Sequence, residues 1–234
     1  MIPALNPFLL PCALFQVALY ALARCALPTR KARAWALTLA VATLFGFVIG
    51  IPNAYALTAA LLTGDPAKVA ALLSTETPFG RFCATYMVTF LALDLAIGVI
   101  DYSEQLQLLS GYVHHVAYCA LYSYLLYWGK TQFVLVGAIC EVPTAIMALG
   151  TIAPALRQDA GFGVSFFFTR IVWFVVLLVV YCLPQYNKEV RIGAPGGGGA
   201  RAALLGLRAG LVSLFCPRSH FRRPPFTPIA ADVD

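Results

Sequence analysis

Apolar residues in this chain come in long blocks, not in the two-residue alternation of a half-buried strand or the narrow stripe of a surface helix. Each block approaches the roughly 20 residues a helix needs to cross about 30 Å of hydrocarbon. The first runs from about Pro7 to Leu27 and ends in the basic cluster Arg24, Arg30, Lys31 and Arg33. The second is uncharged from Ala34 to Gly64. As one helix it would be about 45 Å long, well over the bilayer core. Pro52-Asn53 predicts a break there, because proline removes a backbone donor and crowds the preceding turn. A span to about Ile51 followed by a kinked or re-entrant piece is the expectation. Asp65 to Thr77 reads as a loop. Further spans are predicted from about Arg81 to Ile100, Leu109 to Trp128, Thr131 to Ala153 and Gly163 to Leu183. Only Gly129-Lys130 separates the fourth from the fifth, so those two must be antiparallel neighbours. The fold class is therefore all-α, a polytopic transmembrane bundle of about six spans.

Three parts follow: residues 1–33, a first span with a basic loop; 34–186, the main transmembrane domain; and 187–234, a basic Gly/Pro-rich tail read as flexible. Within the tail, 200–216 is the one candidate for a seventh span. Arg201 and Arg208 project among Leu204, Leu205, Val212 and Phe215 there, so a segment touching the membrane surface is favoured over a crossing.

Composition agrees. Of 234 residues, 61% are hydrophobic and 11% charged, and the mean hydropathy of +0.81 excludes a water-soluble globule. The net charge of +6 sits beside the spans and in the tail, so anionic headgroups and not nucleic acid are its partner. Seven cysteines stand singly in or beside apolar runs, without metal-ligand spacing, so neither a metal nor a resident cofactor is expected. Trp35 and Trp128 fall at span ends, as interfacial rings do. Cytosolic termini would place Lys68, Arg81, Lys130, Lys188 and the tail arginines inside, twice as many cations as Arg24, Arg30, Lys31, Arg33 and Arg157 outside. The first-helix cluster points the other way.

The spans also hold ionisable residues, each costing at least about 2–3 kcal/mol in hydrocarbon. They are Asp94, the pair His114-His115, Glu141 and Arg170. At 1.5 Å per residue, Asp94, His114 and Arg170 lie roughly 10 Å below the same face, with Glu141 nearer mid-membrane. Such convergence predicts an internal polar site. The bland alternative is a structural pair, Asp94–Arg170 or Glu141–Arg170. Two adjacent histidines point about 100° apart, so a single packing role cannot use both. Tyr118 follows His114 at i+4, and Tyr122 follows His115 at i+7, placing rings beside the imidazoles. Pro143 should kink the fifth span and free the Ile139 carbonyl, with Thr144 bonding back toward Glu141 or that backbone.

The ordered set Leu93-Asp94-Leu95, Gly111-Tyr112-Val113-His114-His115, Glu141-Val142-Pro143-Thr144-Ala145 and Phe166-Phe167-Phe168-Thr169-Arg170 resembles the TLC domain (TRAM, Lag, CLN) over about Ala34 to Tyr186. The resemblance implies a multi-pass protein of the endoplasmic reticulum or a related endomembrane that handles lipids. Its best-known enzymes, the ceramide synthases, move a fatty acyl group from coenzyme A to a sphingoid amine. His114 and His115 match their paired histidines. Their following His-Asp-x-x-Asp is represented here by Cys140-Glu141-Val142-Pro143-Thr144, keeping one carboxylate only. The chain therefore looks more like the smaller non-synthase members.

Three functions are weighed. The first is binding or sensing membrane lipids or acyl chains, and so influencing membrane lipid composition. The second is sphingolipid-type N-acyl transfer, with His114 or His115 as general base, Asp94 assisting and acyl-CoA as co-substrate; Glu141, Thr144, Arg170, Tyr118 and Tyr122 would then bind substrate. The third is a trafficking receptor or chaperone for membrane proteins. Homo- and hetero-oligomers are both compatible with each.

Overall fold

The computed structural model describes residues 6–183. The tail, with its candidate crossing over 200–216, lies outside them. Seven helices follow in order: α1 (Leu9–Ala26), α2 (Arg30–Leu62), α3 (Pro66–Ser74), α4 (Pro78–Asp101), α5 (108–127), α6 (Gln132–Ile152) and α7 (Asp159–Cys182). Five of them, all but α3 and α5, are long and apolar enough to cross a membrane. α5 has comparable length, a wide six-residue turn running into a 14-residue helix, but carries both histidines and Tyr112, Tyr118, Tyr122, Tyr124 and Tyr127. It must traverse the bundle all the same. α4 ends at Asp101, whereas α6 starts beside the beginning of α4, where Gln132 Nε2 donates to the Thr75 carbonyl at 2.7 Å.

Two expectations need correction. Pro52 does not break the second span: α2 runs unbroken for 33 residues. The turn before the proline, Leu44–Gly50, is wound wide, with the Ile51 N–H reaching back five residues to the Gly46 carbonyl. That register moves the preceding carbonyls away from the ring, and Asn53 Nδ2 caps the Ile49 carbonyl at 2.7 Å. Nor is Asp65–Thr77 all loop. Gly64 turns the chain with φ +66°, Asp65 Oδ1 accepts the Ala67 N–H at 2.9 Å, and Pro66 opens helix α3. Val69, Ala70 and Leu73 of α3 are buried against Leu57 of α2, Val136 of α6 and Val180 of α7.

The main core joins Leu37, Val41 and Phe45 of α2 to Met87 and Phe90 of α4, Leu125 of α5 and Leu135 of α6. Polar stitches align the helices. Fully buried Gln16 of α1 donates through Nε2 to the Tyr86 carbonyl (3.0 Å) and to Thr89 Oγ1 (3.1 Å) of α4. At the Asp101 end, that carboxylate accepts from the Tyr20 hydroxyl of α1 and from Arg33 Nε of α2 (3.2 Å). Three helices are thereby tied at one rim. Tyr20→Phe should destabilise the purified full chain by about 1.5 kcal/mol, the low end for a bond to a carboxylate, read as a lower melting temperature in micelles. An unchanged midpoint would remove the rim from the account of helix alignment. Outward faces of α1 and α7 expose Leu10, Leu14, Leu22, Phe168 and Val175, the dress of helices that face lipid.

Candidate functional site

Around the polar residues α4 is regular throughout, whereas α2, α5, α6 and α7 each depart from α geometry. α2 has its wide turn at Leu44–Gly50, α5 at Leu108–Val113 just before His114, and α7 at Phe167–Val172 around Arg170. α6 is instead tightened into a 3₁₀ turn, Ala138–Glu141. Such turns aim carbonyls and side chains sideways, out of the helix's own hydrogen-bond ladder.

On α5, His115 is clamped at both nitrogens. Nδ1 faces the Gly111 carbonyl at 2.7 Å, and Nε2 faces Asp94 Oδ2 on α4 at 2.9 Å. A carbonyl only accepts, so Nδ1 carries a hydrogen, and a second proton is shared between Nε2 and Asp94. The other Asp94 oxygen accepts from the Tyr102 hydroxyl at 2.8 Å. Asp94 and Tyr102 are both buried. The result is a fully partnered buried chain, Tyr102–Asp94–His115–Gly111.

His114 differs. Its ring lies on Tyr118, centroids 4.5 Å apart, and edge-on to His115 at 5.7 Å; neither ring nitrogen makes a hydrogen bond among the described residues. Tyr118 in turn meets Tyr122 at 5.8 Å. Both imidazoles are partly buried, not set on the lipid face.

Arg170 pairs with neither carboxylate, contrary to both structural pairs weighed from the sequence. Asp94 belongs to His115. Arg170 Nε donates to the Cys140 carbonyl (3.0 Å) and Nη2 to Thr144 Oγ1 (2.6 Å), while the Phe166 ring lies 5.7 Å beneath the guanidinium. Cys140 Sγ donates back to the Thr169 carbonyl at 3.0 Å, and Trp173 Nε1 bonds the Val136 carbonyl at 2.9 Å. Residues 136, 140 and 144 recur every fourth position, so one face of α6 is laced to α7. Pro143 does perturb α6, but the Val142 N–H takes the Ile139 carbonyl three residues back. The carbonyl left for a partner is that of Cys140, and Thr144 accepts from Arg170 instead of bonding back to Glu141.

The Glu141 side chain makes no hydrogen bond or ion pair among the described residues, and it stands within electrostatic reach of His115, Tyr118 and Tyr122. Arg170 stands within reach of His114, Tyr118 and Tyr122. The carboxyl and the guanidinium thus flank the same rings without bridging to each other. Of the eight residues singled out from the sequence, Asp94, His114, His115, Tyr118 and Tyr122 form one string of contacts, Arg170 and Thr144 form another, and Glu141 stands in reach of the rings of the first. The sequence reading missed Tyr102, Gly111 and Cys140. A glycine four residues before a histidine at a helix start is a usable signal for Gly111. Tyr102 lies beyond the end of its span and gives no sign. Among the described residues no cluster of three or more His, Cys, Asp or Glu could hold a metal ion.

No curated protein and no solved structure matches the chain. The family model described as the TLC domain matches residues 31–216, beginning at α2 and leaving α1 outside. The matched range takes in Asp94, His114-His115, Glu141 and Arg170, and the chain, a multi-pass helical membrane protein, belongs to the TLC domain family.

Proposed function

We propose that this protein binds a membrane lipid between α5, α6 and α7 and thereby influences membrane lipid composition. The observation that carries the reading is that, among the described residues, Glu141 and Arg170 are unbridged to each other and the His114 imidazole beside them has no hydrogen-bond partner. A buried ion that served structure alone would be expected to close on its opposite. Here the guanidinium is held by a carbonyl and a hydroxyl, which fix its place and leave its charge for a ligand. A lipid's ester, amide or hydroxyl groups supply the acceptors and donors such a space lacks, and Tyr118 and Tyr122 offer rings to the adjoining chain. The compartment is the endoplasmic reticulum or a related endomembrane, with cytosolic termini. The test is mass spectrometry of lipids co-purifying with the full chain. Glu141→Gln combined with Arg170→Gln should lose the retained species, and cells lacking the protein should show altered phospholipid or sphingolipid acyl chains. Retention equal to the parent, with an unchanged cellular profile, overturns the reading.

N-acyl transfer is a second reading, favoured by the division of labour between the histidines. His115 is locked by Asp94 and Gly111, so His114 would meet substrate. An amine nitrogen attacks the thioester carbonyl, the imidazole takes the amine proton, and the C–S bond breaks as the thiolate leaves and receives that proton. Purified protein given acyl-CoA and a long-chain base should make amide, and His114→Ala should abolish it. No product with the intact chain dismisses this reading while leaving lipid binding standing.

A further inference from the structure

A cavity of about 200 Å³ lies at the Asp101 end of the bundle, apart from the histidines. Its wall joins the start of α2, the end of α6 and the start of α7 through Lys31, Ile146, Met147, Arg157, Gln158 and Phe162. These residues sit where three membrane-spanning helices begin or end, with Trp35 one turn further along α2, and so at headgroup level. The lining is divided. Ile146, Met147 and Phe162 are apolar, whereas the mouth carries two cations and one anion. Arg157 Nε is paired with Asp159 at 2.7 Å. Lys31 is exposed and makes no ion pair or hydrogen bond among the described residues. Gly150 lets the Arg157 segment pack closely on α6, since a Cβ there would meet Arg157 Cα at 3.1 Å.

We propose that this cavity is a binding site for the phosphodiester headgroup of a net-anionic glycerophospholipid, with Lys31 as its principal cation. The chemistry is one of charge and size. Among the described residues, two cations and one carboxylate leave a net single positive charge, which a phosphodiester neutralises. A choline beside the same phosphate would set a second cation against Lys31 and Arg157, since Asp159 is already engaged. The volume takes a phosphate and part of a glycerol, because a water occupies about 30 Å³ in the liquid. Two acyl chains do not fit and must run outside. Beyond Phe162, α7 exposes Val164, Phe167 and Phe168, an apolar surface along which they can lie. The site shares no residue with the histidine chamber, so it stands or falls separately from the function proposed above.

The test uses the full chain in nanodiscs of phosphatidylcholine doped with phosphatidylglycerol, followed by native mass spectrometry of retained lipid. Phosphatidylglycerol should be retained over phosphatidylcholine. Lys31→Ala should cut that preference about fivefold, as the attraction of one surface lysine to anionic lipid implies, and Lys31→Arg should restore it. Gly150→Ala, which displaces Arg157 from its place in the cavity wall, should lower retention too. Equal retention of the two lipids, or a Lys31→Ala variant that keeps the preference, overturns the proposal. So does displacement of the lipid by millimolar inorganic phosphate, which would mark a site for free anions. Because Lys31 is exposed, an unchanged melting temperature is expected; if Lys31→Ala nevertheless unfolds, Lys31→Gln must show the same loss in a folded protein or the proposal fails.

Discussion

Alanine at Gly50 is expected to prevent α2 and α6 from closing on each other. A Cβ there would overlap the Ala138–Ile139 peptide, 2.5 Å from the Ala138 carbonyl carbon. At Gly46, one turn earlier, it would lie 2.7 Å from the Val142 nitrogen. Both obstacles are backbone, which cannot swing aside as a side chain tip can. Small residues that let helix axes approach are a main source of packing energy where lipid is as apolar as the helix face. The effect belongs at the top of the roughly 1–3 kcal/mol range for overpacking, and beyond it if the helices separate. Gly137→Ala, on the facing helix α6, is the internal control, since nothing lies within 4 Å of a Cβ at that position. Thermal unfolding and size-exclusion profiles of the full chain in micelles should show Gly137→Ala near the parent and Gly50→Ala aggregated or strongly lowered. Coincident melting of the two variants would refute the close crossing. More than stability is at stake, because the crossing sets the wide turn of α2 against the 3₁₀ turn of α6 that presents Glu141.

Removing the Asp94 carboxylate should have the other large effect. Asp94→Ala leaves His115 Nε2 without its partner and the Tyr102 hydroxyl with only the backbone carbonyl of residue 94, which it also faces at 3.2 Å. Breaking a buried pair from one side typically destabilises by about 3–5 kcal/mol, since the survivor keeps its desolvation penalty. Tyr102→Phe removes the hydroxyl's contacts with the Asp94 carboxylate and carbonyl and should destabilise by about 1.5–3 kcal/mol. A double-mutant cycle isolates the contact. His115→Ala made on top of Asp94→Ala should add little, giving a coupling of up to about 3 kcal/mol. Strictly additive losses would mean that the two residues fold as independent struts. For either function of the chamber, loss of Asp94 should also free the His115 ring to reorient and disturb the neighbouring His114, which stacks edge-on against it.

Much of this architecture is legible in the linear chain because the bilayer constrains it so narrowly. A helix through hydrocarbon must satisfy its own backbone, so apolar length alone locates α1, α4, α6 and α7 to within a few residues of Leu9–Ala26, Pro78–Asp101, Gln132–Ile152 and Asp159–Cys182. Depth is legible too. Counting residues from the loop between α4 and α5 places Asp94 and the histidine pair at one level, where they meet. Local rules mislead at Pro52 and over Asp65–Thr77. Proline's penalty assumes an α-helical register, and a five-residue register just before the ring relieves it. The short α3 is stabilised by the bundle it covers more than by its own propensity, its buried face being completed by α2, α6 and α7.

What the sequence determines by itself is the membrane-spanning all-α character, the order of the helices and the set of polar residues carried inward, all consequences of burial cost. What only the tertiary structure decides is which of those residues become partners. Asp94 had two candidate cations and took His115; Arg170 had two candidate carboxylates and took a carbonyl and a hydroxyl. Sequence spacing gives depth along a helix, but rotation about its axis depends on packing against every neighbour. A wide or tight turn shifts that rotation by a large fraction of a residue's arc. Glu141 therefore lies in reach of His115 and the tyrosines yet unbridged to Arg170, an outcome set by the turns in α2, α6 and α7 and by no motif in the chain.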